Sequence, residues 1–361
     1  MRSSATIDLV DKQYSETQLP IELAYAVCDA NAIQDSPVQI KGNPSKVGRM
    51  VPRRFLSVFG GQPLRPDDST SGRLQLAEWI VEPNNPLAMR VMVNRIWLYH
   101  FGKGLVPTPN DFGRQGKAPT HPELLDWLAL SFRDSGYSIK TLHRTIMLSR
   151  VYQLSSQLNA SAADHDPNNE LLTAFPRRRL DAESIRDTLL TLGGSMDLSR
   201  PGPHPFPPQS EWKFTQHNPF KAVYDTNYRS VYLMTQRIQR HPFLAIFDGP
   251  DASVSTPQRL TSTTPIQSLY FLNDPMVHEQ AKRFAVRIIE SSADDKERIS
   301  FAFLHALGRE PTTDETKGTL AFLEQTRLEA SGEIQSEAAT DAAWQAMVRV
   351  IFRLNEFVYV D

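Results

Sequence analysis

Residues 84–127 read NNPLAMRVMVNRIWLYHFGKGLVPTPNDFGRQGKAPTHPELLDW. Asn85 is a preferred helix cap and Pro86 suits the first helical position. Gly102 and Gly104 are typical of the residues that end a helix. At about 100° per residue the apolar side chains between these points fall on nearly every face. The stretch therefore predicts a helix that is buried at the centre of the fold.

The same predicted helix carries Arg90, Asn94 and Arg95. A buried guanidinium is tolerated when it is paired and hydrogen-bonded, because removing one partner costs about 3–5 kcal/mol. We therefore treat these three polar residues as candidates either for internal pairing or for ligand contact.

Composition limits the classes of protein to which the chain can belong. The 361 residues are 40% hydrophobic and 22% charged, with a formal net charge of −2. Such a composition is that of an ordinary globular protein, long enough for one large core or two smaller ones. The small negative charge argues against a general nucleic-acid binder, and no apolar run is long enough for a membrane span. The single cysteine, Cys28, excludes a Cys-x-x-Cys metal or haem motif, and no cofactor is predicted.

The pattern along the chain predicts a mainly α fold, a multi-helix globular domain with at most a small sheet. Thr264-Pro265 and Asp274-Pro275 are helix starts, and Thr312 with Glu315 forms a capping box. Residues 37–40 and 228–235 are the strand candidates.

Three segments divide the chain in this interpretation. Residues 1–20 are predicted to be a tail or the remnant of an upstream domain, and residues 21–361 a single helical domain. Within that domain, residues 196–222 form a long loop rich in proline and aromatic residues. Long loops in compact domains are usually functional or disordered.

Five runs of sequence match a known family. They are NPLAMRVMVNRIWLYHFGKGLVPTPNDFG, PTHPELLDWLA, RRRLDAESIRD, the block from RSVYL to FDGPD, and the closing LNEFVYVD. With these motifs the chain resembles the planctomycete domain of unknown function "fifteen fifty-three", also called PSD-one. The resemblance extends from about residue 21 to the C-terminus.

The resemblance implies a context but no activity. Members are typically exported, usually follow a cytochrome-c-like module and a second uncharacterised domain, and are often encoded near sulfatase-like proteins. It therefore implies a periplasmic or extracytoplasmic location, whereas residues 1–16 lack the apolar stretch of a signal peptide, so the location stays open. It also implies a cytochrome-c-like partner that is missing from this chain.

Arginine is the first candidate site chemistry, because a guanidinium donates in a planar, bidentate way to carboxylate, sulfate or phosphate. The alternative is internal pairing with acids of the chain. In particular, Glu183 is spaced to pair with Arg179 and with Arg186 along one helix face. The candidate set consists of Arg90, Arg95, Arg177, Arg178, Arg179, Arg186, Arg229, Arg237 and Arg259, and the candidate acids are Asp111, Asp126, Glu183, Asp187, Asp248 and Asp251.

Acid/base chemistry is the second candidate, with Asp111, His121 and Asp248 as weak catalytic candidates. The alternative is a loop-capping aspartate and a histidine at a helix start. No HExxH motif, nucleophile elbow or phosphate-binding loop is present, and no metal site is predicted.

The aromatic loop is the third candidate, because aromatic faces beside polar donors suit a sugar ring or a partner surface. Its aromatic residues are Phe206, Trp212, Phe214 and Phe220, and the alternative is a loop that packs on its own domain. Together with the arginines, it gives the candidate ligand contacts Arg90, Asn94, Arg95, Arg178, Arg179, Trp212 and Arg237.

Three functions remain open from the sequence. The first is a non-catalytic binding or scaffold module for an anionic ligand such as an acidic or sulfated polysaccharide. The second is a hydrolase or lyase that acts on a polysaccharide. The third is a docking domain for the cytochrome-c-like partner, in which case an exposed apolar patch is expected near the N-terminal segment.

Overall fold

The computed structural model describes residues 26–65, 70–157, 164–205, 207–215, 217–218, 220, 222–237, 239–331 and 336–360. The chain falls into two compact units. The first comprises the described residues up to Val93 together with Leu124–Ile139, and the second comprises Asn94–Glu123 and the described residues from Lys140 onward. Residues 1–20, predicted to be a tail, lie outside the described part.

Helices dominate the described residues, as the sequence predicts. Two short antiparallel pairs, β1 with β2 and β3 with β4, are the sheets found in this part of the chain. The elements in chain order are β1 (Ser36–Gln39), β2 (Val47–Val51), α1 (Arg73–Val81), α2 (Ala88–Phe101), α3 (Pro122–Asp134), α4 (Ile139–Met147), β3 (Arg178–Arg179), α5 (Ala182–Leu192), α6 (Pro242–Ile246), α7 (Pro265–Asn273), α8 (Pro275–Ser291), α9 (Asp295–Leu307), α10 (Thr313–Ser331), α11 (Glu337–Ile351), α12 (Asn355–Val358) and β4 (Tyr359–Val360).

The predicted helix boundaries arise from side-chain caps. Thr264 and Gln267 form a capping box at the start of α7, and Asp274 accepts from the amide of Met276 at the start of α8. The predicted box of Thr312 and Glu315 is also present, with both reciprocal bonds. Each cap satisfies amides that the first turn of a helix leaves without a partner.

The central helix α2 is confirmed, although it is not buried on every face. Asn85 accepts from the amides of Leu87 and Ala88, as a cap does, and Gly102 takes a left-handed φ of 74° at the other end. Tyr99 is exposed, so one stripe of the helix faces solvent. The buried members of the helix are Val93, Asn94, Ile96, Trp97, Leu98 and Phe101.

The first unit exposes much of its apolar surface. The hairpin of β1 and β2 pairs Ser36 with Val51, and α1 follows it. Helix α1 has no buried residue, and Leu74 is 67% exposed. Better packing is found in α3, whose buried residues are Leu125, Leu128, Ala129 and Phe132.

The second unit holds the main hydrophobic core. Helix α8 packs on α11 and on α5, and α10 packs along α11. Phe284, Trp344 and Phe352 are completely buried in this core. The segment of α12 and β4 returns to the core through the buried Phe357, and it thereby places the end of the chain beside β3.

The strand predicted for residues 228–235 is wrong. Ser230–Tyr232 form a turn of 3₁₀ helix, and Tyr228 makes an isolated bridge to Asp197. The physical reason is that side chains of α5 bind this segment. Arg186 donates to the carbonyl of Tyr228, and Asp187 accepts from the amide of Ser230.

Candidate functional site

The foundation of the candidate site is the two-stranded ladder of β3 and β4. Arg178 pairs with Val360, Arg179 pairs with Tyr359, and the amide of Leu180 donates to the carbonyl of Val358 at 2.8 Å. Successive side chains of an extended strand point to opposite sides. The ladder therefore holds the arginine run of residues 177–179 in a fixed, extended arrangement.

A cleft of about 450 Å³ opens over this ladder, entirely within the second unit. Five of its lining residues are basic and two are acidic, so positive charge predominates. The basic residues are Lys103, Arg177, Arg178, Arg179 and Arg259, the acidic ones are Asp181 and Asp248, and Leu98, Tyr99, Phe247, Leu260 and Tyr359 supply apolar and aromatic walls.

Arg178 lines this cleft and has no carboxylate partner in the described part of the chain. Its Nη1 donates to the main-chain carbonyl of Tyr99, while its Nε is buried and has no hydrogen-bond partner there. A buried donor that stays unpaired costs about 1–3 kcal/mol. The guanidinium of Arg178 therefore has unused hydrogen-bonding capacity.

Arg179 and Asp248 lie next to each other in the cleft and are both hydrogen-bonded to Ser262. Arg179 is only 7% exposed, donates to the carbonyl of Ser262 and lies 4.0 Å from Asp248 Oδ2. The Asp248 carboxylate accepts from the Ser262 amide at 2.7 Å and from its hydroxyl at 2.8 Å. Gln267 Nε2 adds a third donor at 3.4 Å. With these donors, Asp248 holds a turn in place beside Arg179.

Arg259 and Lys103 each have an acidic partner. Arg259 forms a bidentate pair with Glu183, and this hydrogen bond raises the pKa of the guanidinium further. Lys103 Nζ lies 3.1 Å from Glu170 Oε1, and both side chains are about half exposed. An exposed pair of this kind contributes little to stability, so Lys103 is available to a ligand at low cost.

The predicted pairing of Glu183 with Arg179 and Arg186 is wrong. Arg179 lies in β3, before the cap Asp181, so helical spacing does not apply to it. Arg186 points to the buried side of α5, where it donates to the carbonyls of Thr226 and Tyr228 and to the hydroxyl of Ser230.

A histidine pair lies close to Arg178. The rings of His100 and His143 are hydrogen-bonded at 2.7 Å, and His100 also packs edge-on against Tyr152. Burial lowers the pKa of His100, and the nearby His143 and Arg178 lower it further. The positive charge of Arg178 therefore affects the pKa of His100, although His100 does not line the cleft.

The three polar residues of α2 have separate partners. Arg90 belongs to the first unit and bonds Asp126 at 2.5 Å, which raises the pKa of Arg90 and lowers that of Asp126. Asn94 is fully buried and bonds both the carbonyl and the amide of Val106. Arg95 donates to Asn110 Oδ1 at 2.8 Å. None of the three lines the arginine cleft.

The aromatic loop packs on itself. Trp212 Nε1 donates to the carbonyl of Pro207, and the rings of Trp212, Phe214 and Phe220 follow one another at 5.3 and 5.6 Å. Phe206 lies outside the described residues. Arg237 is exposed, and its carbonyl accepts from Ser253. Trp212 and Arg237 do not line the arginine cleft.

The remaining catalytic candidates are found in local turns. Asp111 Oδ1 accepts from the amide of Gly113 at 2.8 Å, and His121 Nδ1 lies 3.0 Å from the hydroxyl of Thr120. No three His, Cys, Asp or Glu side chains in the described ranges come together as a metal-ligand set. Among the described helices, none combines the length and the apolar character that crossing a membrane requires.

The sequence-predicted residues that the structure brings together in this cleft are thus Arg177, Arg178, Arg179, Asp248 and Arg259. Tyr99, Lys103, Gln258 and Tyr359 also line the cleft and were not predicted. The sequence did contain one signal for the position of the cleft. Four of the five runs that carry the family resemblance contribute residues to it. They supply residues 98–99, 101–103, 177–181, 184, 247–248 and 359.

Comparison with known proteins extends this observation. A family model described as PSD1, protein of unknown function (DUF1553), matches residues 72–323. No curated protein and no solved structure matches the chain. Because the matched residues make up more than half of the 361, the chain belongs to the PSD1 family.

Proposed function

We propose that this protein is a non-catalytic binding module whose arginine cleft holds an anionic ligand, and that the ligand class is an acidic or sulfated polysaccharide. The observation that carries the proposal is Arg178, a partly buried guanidinium that lines the cleft and has no carboxylate partner in the described residues. A sulfate or carboxylate in the cleft that accepts from the outer nitrogens of this guanidinium would form a charge-assisted hydrogen bond.

The electrostatics of the cleft support the same ligand class. Five basic side chains line it against two acidic ones, and one of the acids, Asp248, is already bound by Ser262 and Gln267. A ligand carboxylate therefore meets a surplus of positive charge. In a partly enclosed site such charge is screened less by salt than it would be on an open surface.

The walls of the cleft support a sugar ring as the carrier of the anion. Tyr99, Phe247 and Tyr359 present aromatic surface next to the cationic groups. Binding sites for small organic groups combine apolar walls with a few placed polar groups in this way. The sulfatase-like neighbourhood that the resemblance implies points in the same direction.

Binding is favoured over catalysis by the state of the acidic groups. An acid/base residue needs a carboxylate or imidazole with a free face toward the substrate. Asp248 instead accepts from three donors and lies beside Arg179, which fits a positioning role.

A thermal-shift screen of the purified chain tests the proposal. The probes are chondroitin sulfate, polygalacturonate, neutral dextran, inorganic sulfate and inorganic phosphate, each at low and high salt. A ligand at 100 times its Kd adds about 2.7 kcal/mol of stability. We expect a rise in Tm with the acidic glycans that high salt weakens, and no rise with dextran.

Variants locate the binding site in the same screen. Arg178→Ala should lose most of the shift, while Arg283→Ala, an exposed arginine of α8 paired with Glu279, should keep it. A shift with dextran alone, or an equal shift in Arg178→Ala and wild type, contradicts the proposal. Cleavage of the glycan during the experiment would establish the hydrolase or lyase alternative.

The exposed apolar side chains of the first unit favour a second candidate function, docking to a partner protein. Its helix α1 exposes Leu74, Leu76, Ile80 and Val81, and Val58 of the preceding segment is 78% exposed. An apolar patch of this kind suits a partner protein, and the resemblance implies a cytochrome-c-like module as that partner.

Size-exclusion chromatography with a purified cytochrome-c-like module tests this second candidate function. Ile80→Glu should abolish co-elution without lowering the Tm of the isolated chain, whereas the lack of any co-elution with wild type rejects this candidate.

A further inference from the structure

A second cleft of about 550 Å³ lies next to the arginine cleft. The two clefts have Arg177, Arg179 and Tyr359 in common, so the ladder of β3 and β4 forms the wall between them. Both lie wholly in the second unit, and these three shared residues make the two clefts direct neighbours.

The second cleft differs from the first in the chemistry of its walls. Phe271 lines its apolar floor, and Leu272, Leu354 and Val358 line its sides. Such a surface suits a compact apolar group, because removing apolar surface from water contributes about 25 cal/mol per Å² to the free energy of binding.

The acidic residue of the second cleft is engaged in an ion pair. Glu356 is bound by Arg309, whose Nε lies 2.5 Å from Glu356 Oε1 and whose Nη2 lies 2.8 Å from Oε2. Arg309 also bonds Glu315, which links the first turn of α12 to the start of α10. The cleft therefore combines an apolar floor with an arginine rim and one acid that is held in an ion pair.

We infer that the two clefts bind one ligand, an amphiphilic anion whose charged group lies in the arginine cleft and whose neighbouring apolar group, aryl or branched acyl, lies in the second cleft. This inference rests on the proposed function. It narrows the ligand class to an anion with an apolar substituent next to its charge, and an acidic polysaccharide fits where it carries such a group.

Calorimetric titration of the full chain with phenyl sulfate, inorganic sulfate and phenol tests the inference. Phenyl sulfate should bind about tenfold more tightly than sulfate, because burying about 55 Å² of ring surface at 25 cal/mol per Å² corresponds to that factor. Phenol should bind more weakly than either, since it lacks the anionic group.

Substitutions in α7 test whether the tighter binding of phenyl sulfate comes from the second cleft. Ser268→Trp fills the cleft and should remove the tenfold advantage while leaving the affinity for sulfate unchanged. Leu269→Trp, on the next residue and outside the cleft, is the matched control and should keep the advantage. Leu272→Gln removes apolar wall without adding bulk and gives the same readout if Ser268→Trp folds poorly, as judged by circular dichroism.

The outcomes separate the inference from the proposed function. Equal affinities for sulfate and phenyl sulfate, or an advantage that survives both Ser268→Trp and Leu272→Gln, overturn the inference and leave the arginine cleft intact as an anion site. The absence of binding by either anion overturns both.

Discussion

Arg178 donates from Nη1 to the main-chain carbonyl of Tyr99, in the last turn of α2. The carbonyls of a final helical turn lack intrahelical partners, and a cation there also interacts favourably with the helix dipole. Gly102, which ends the helix, lies against the aliphatic part of Arg178. Arg178 is therefore anchored at one end of its guanidinium while it still lines the cleft, and this combination makes a structural role and a binding role compatible.

Asn94 gives a prediction about the core of the second unit. Its Nδ2 donates to the carbonyl of Val106 at 3.0 Å, and its Oδ1 accepts from the amide of Val106 at 2.8 Å. A Cβ on Gly104 would lie 2.8 Å from these amide atoms, so the loop closes tightly on Asn94. Asn94→Ala leaves two buried main-chain groups unpaired and should lower the free energy of unfolding by about 2–5 kcal/mol.

Urea denaturation followed by circular dichroism measures this loss. Arg95→Ala on the adjacent, exposed position is the control and should change the free energy of unfolding by less than about 0.5 kcal/mol. A ligand-binding role for Asn94 without a structural one would instead leave the urea midpoint of Asn94→Ala at the wild-type value.

Asp248 gives a prediction that separates positioning from catalysis. It has a left-handed φ of 60°, and its carboxylate accepts from Ser262 and Gln267. Asp248→Ala loses these bonds and is disfavoured at this backbone conformation, so it should cost about 2–4 kcal/mol. Asp248→Asn tolerates the conformation and should cost less.

The control for Asp248 is Asp251→Ala, an acid on the next turn that pairs with the exposed Arg240. We expect a much smaller shift of the urea midpoint for this variant. Should Asp248→Ala unfold at the same urea concentration as wild type, its carboxylate would be free of a structural role and the acid/base alternative would gain support.

The pH dependence of stability follows from two partly buried histidines. Burial lowers the pKa of His100, and burial together with Arg186 lowers that of His241. The unfolded chain then takes up protons near pH 6.5 while the folded chain does not, so the free energy of unfolding should fall as the pH drops from about 7.5 to 5.

Thermal unfolding at a series of pH values checks this expectation. His241→Asn should reduce the slope of Tm against pH between 5 and 7.5, because one of the two groups is removed. The exposed His217→Asn is the control and should leave the slope unchanged. A Tm that rises as the pH falls through this range would contradict the signs of both pKa shifts.

Local sequence signals predicted the helices but not the site. Caps such as Thr312 with Glu315 act within one turn of chain, so residue types at fixed spacing reveal them. The strand expected at residues 228–235 failed because Arg186, more than forty residues away, binds the carbonyl of Tyr228. Pairing of that kind depends on tertiary contacts, which spacing along a helix does not report.

The same reasoning applies to the arginine cleft. Tyr99 and Tyr359 both line it although they are far apart in the sequence, and Tyr359 is placed there because β4 pairs with β3. The sequence placed Arg178, Arg179 and Asp248 among the candidates by residue type. It also included Arg90, Asn94, Arg95, Trp212 and Arg237, whose partners within the protein were not evident from their types alone.

Direct titration of Arg178 variants with a chondroitin sulfate oligosaccharide at several salt concentrations tests the central claim, that the arginine cleft binds an anion through Arg178. A hydrogen bond to a charged group is worth about 1.5–3 kcal/mol, so Arg178→Ala should raise Kd by about 10- to 100-fold. Arg178→Lys should fall between, and Arg283→Ala should match wild type. An unchanged Kd for Arg178→Ala, or the absence of binding by the wild-type chain, would contradict the account.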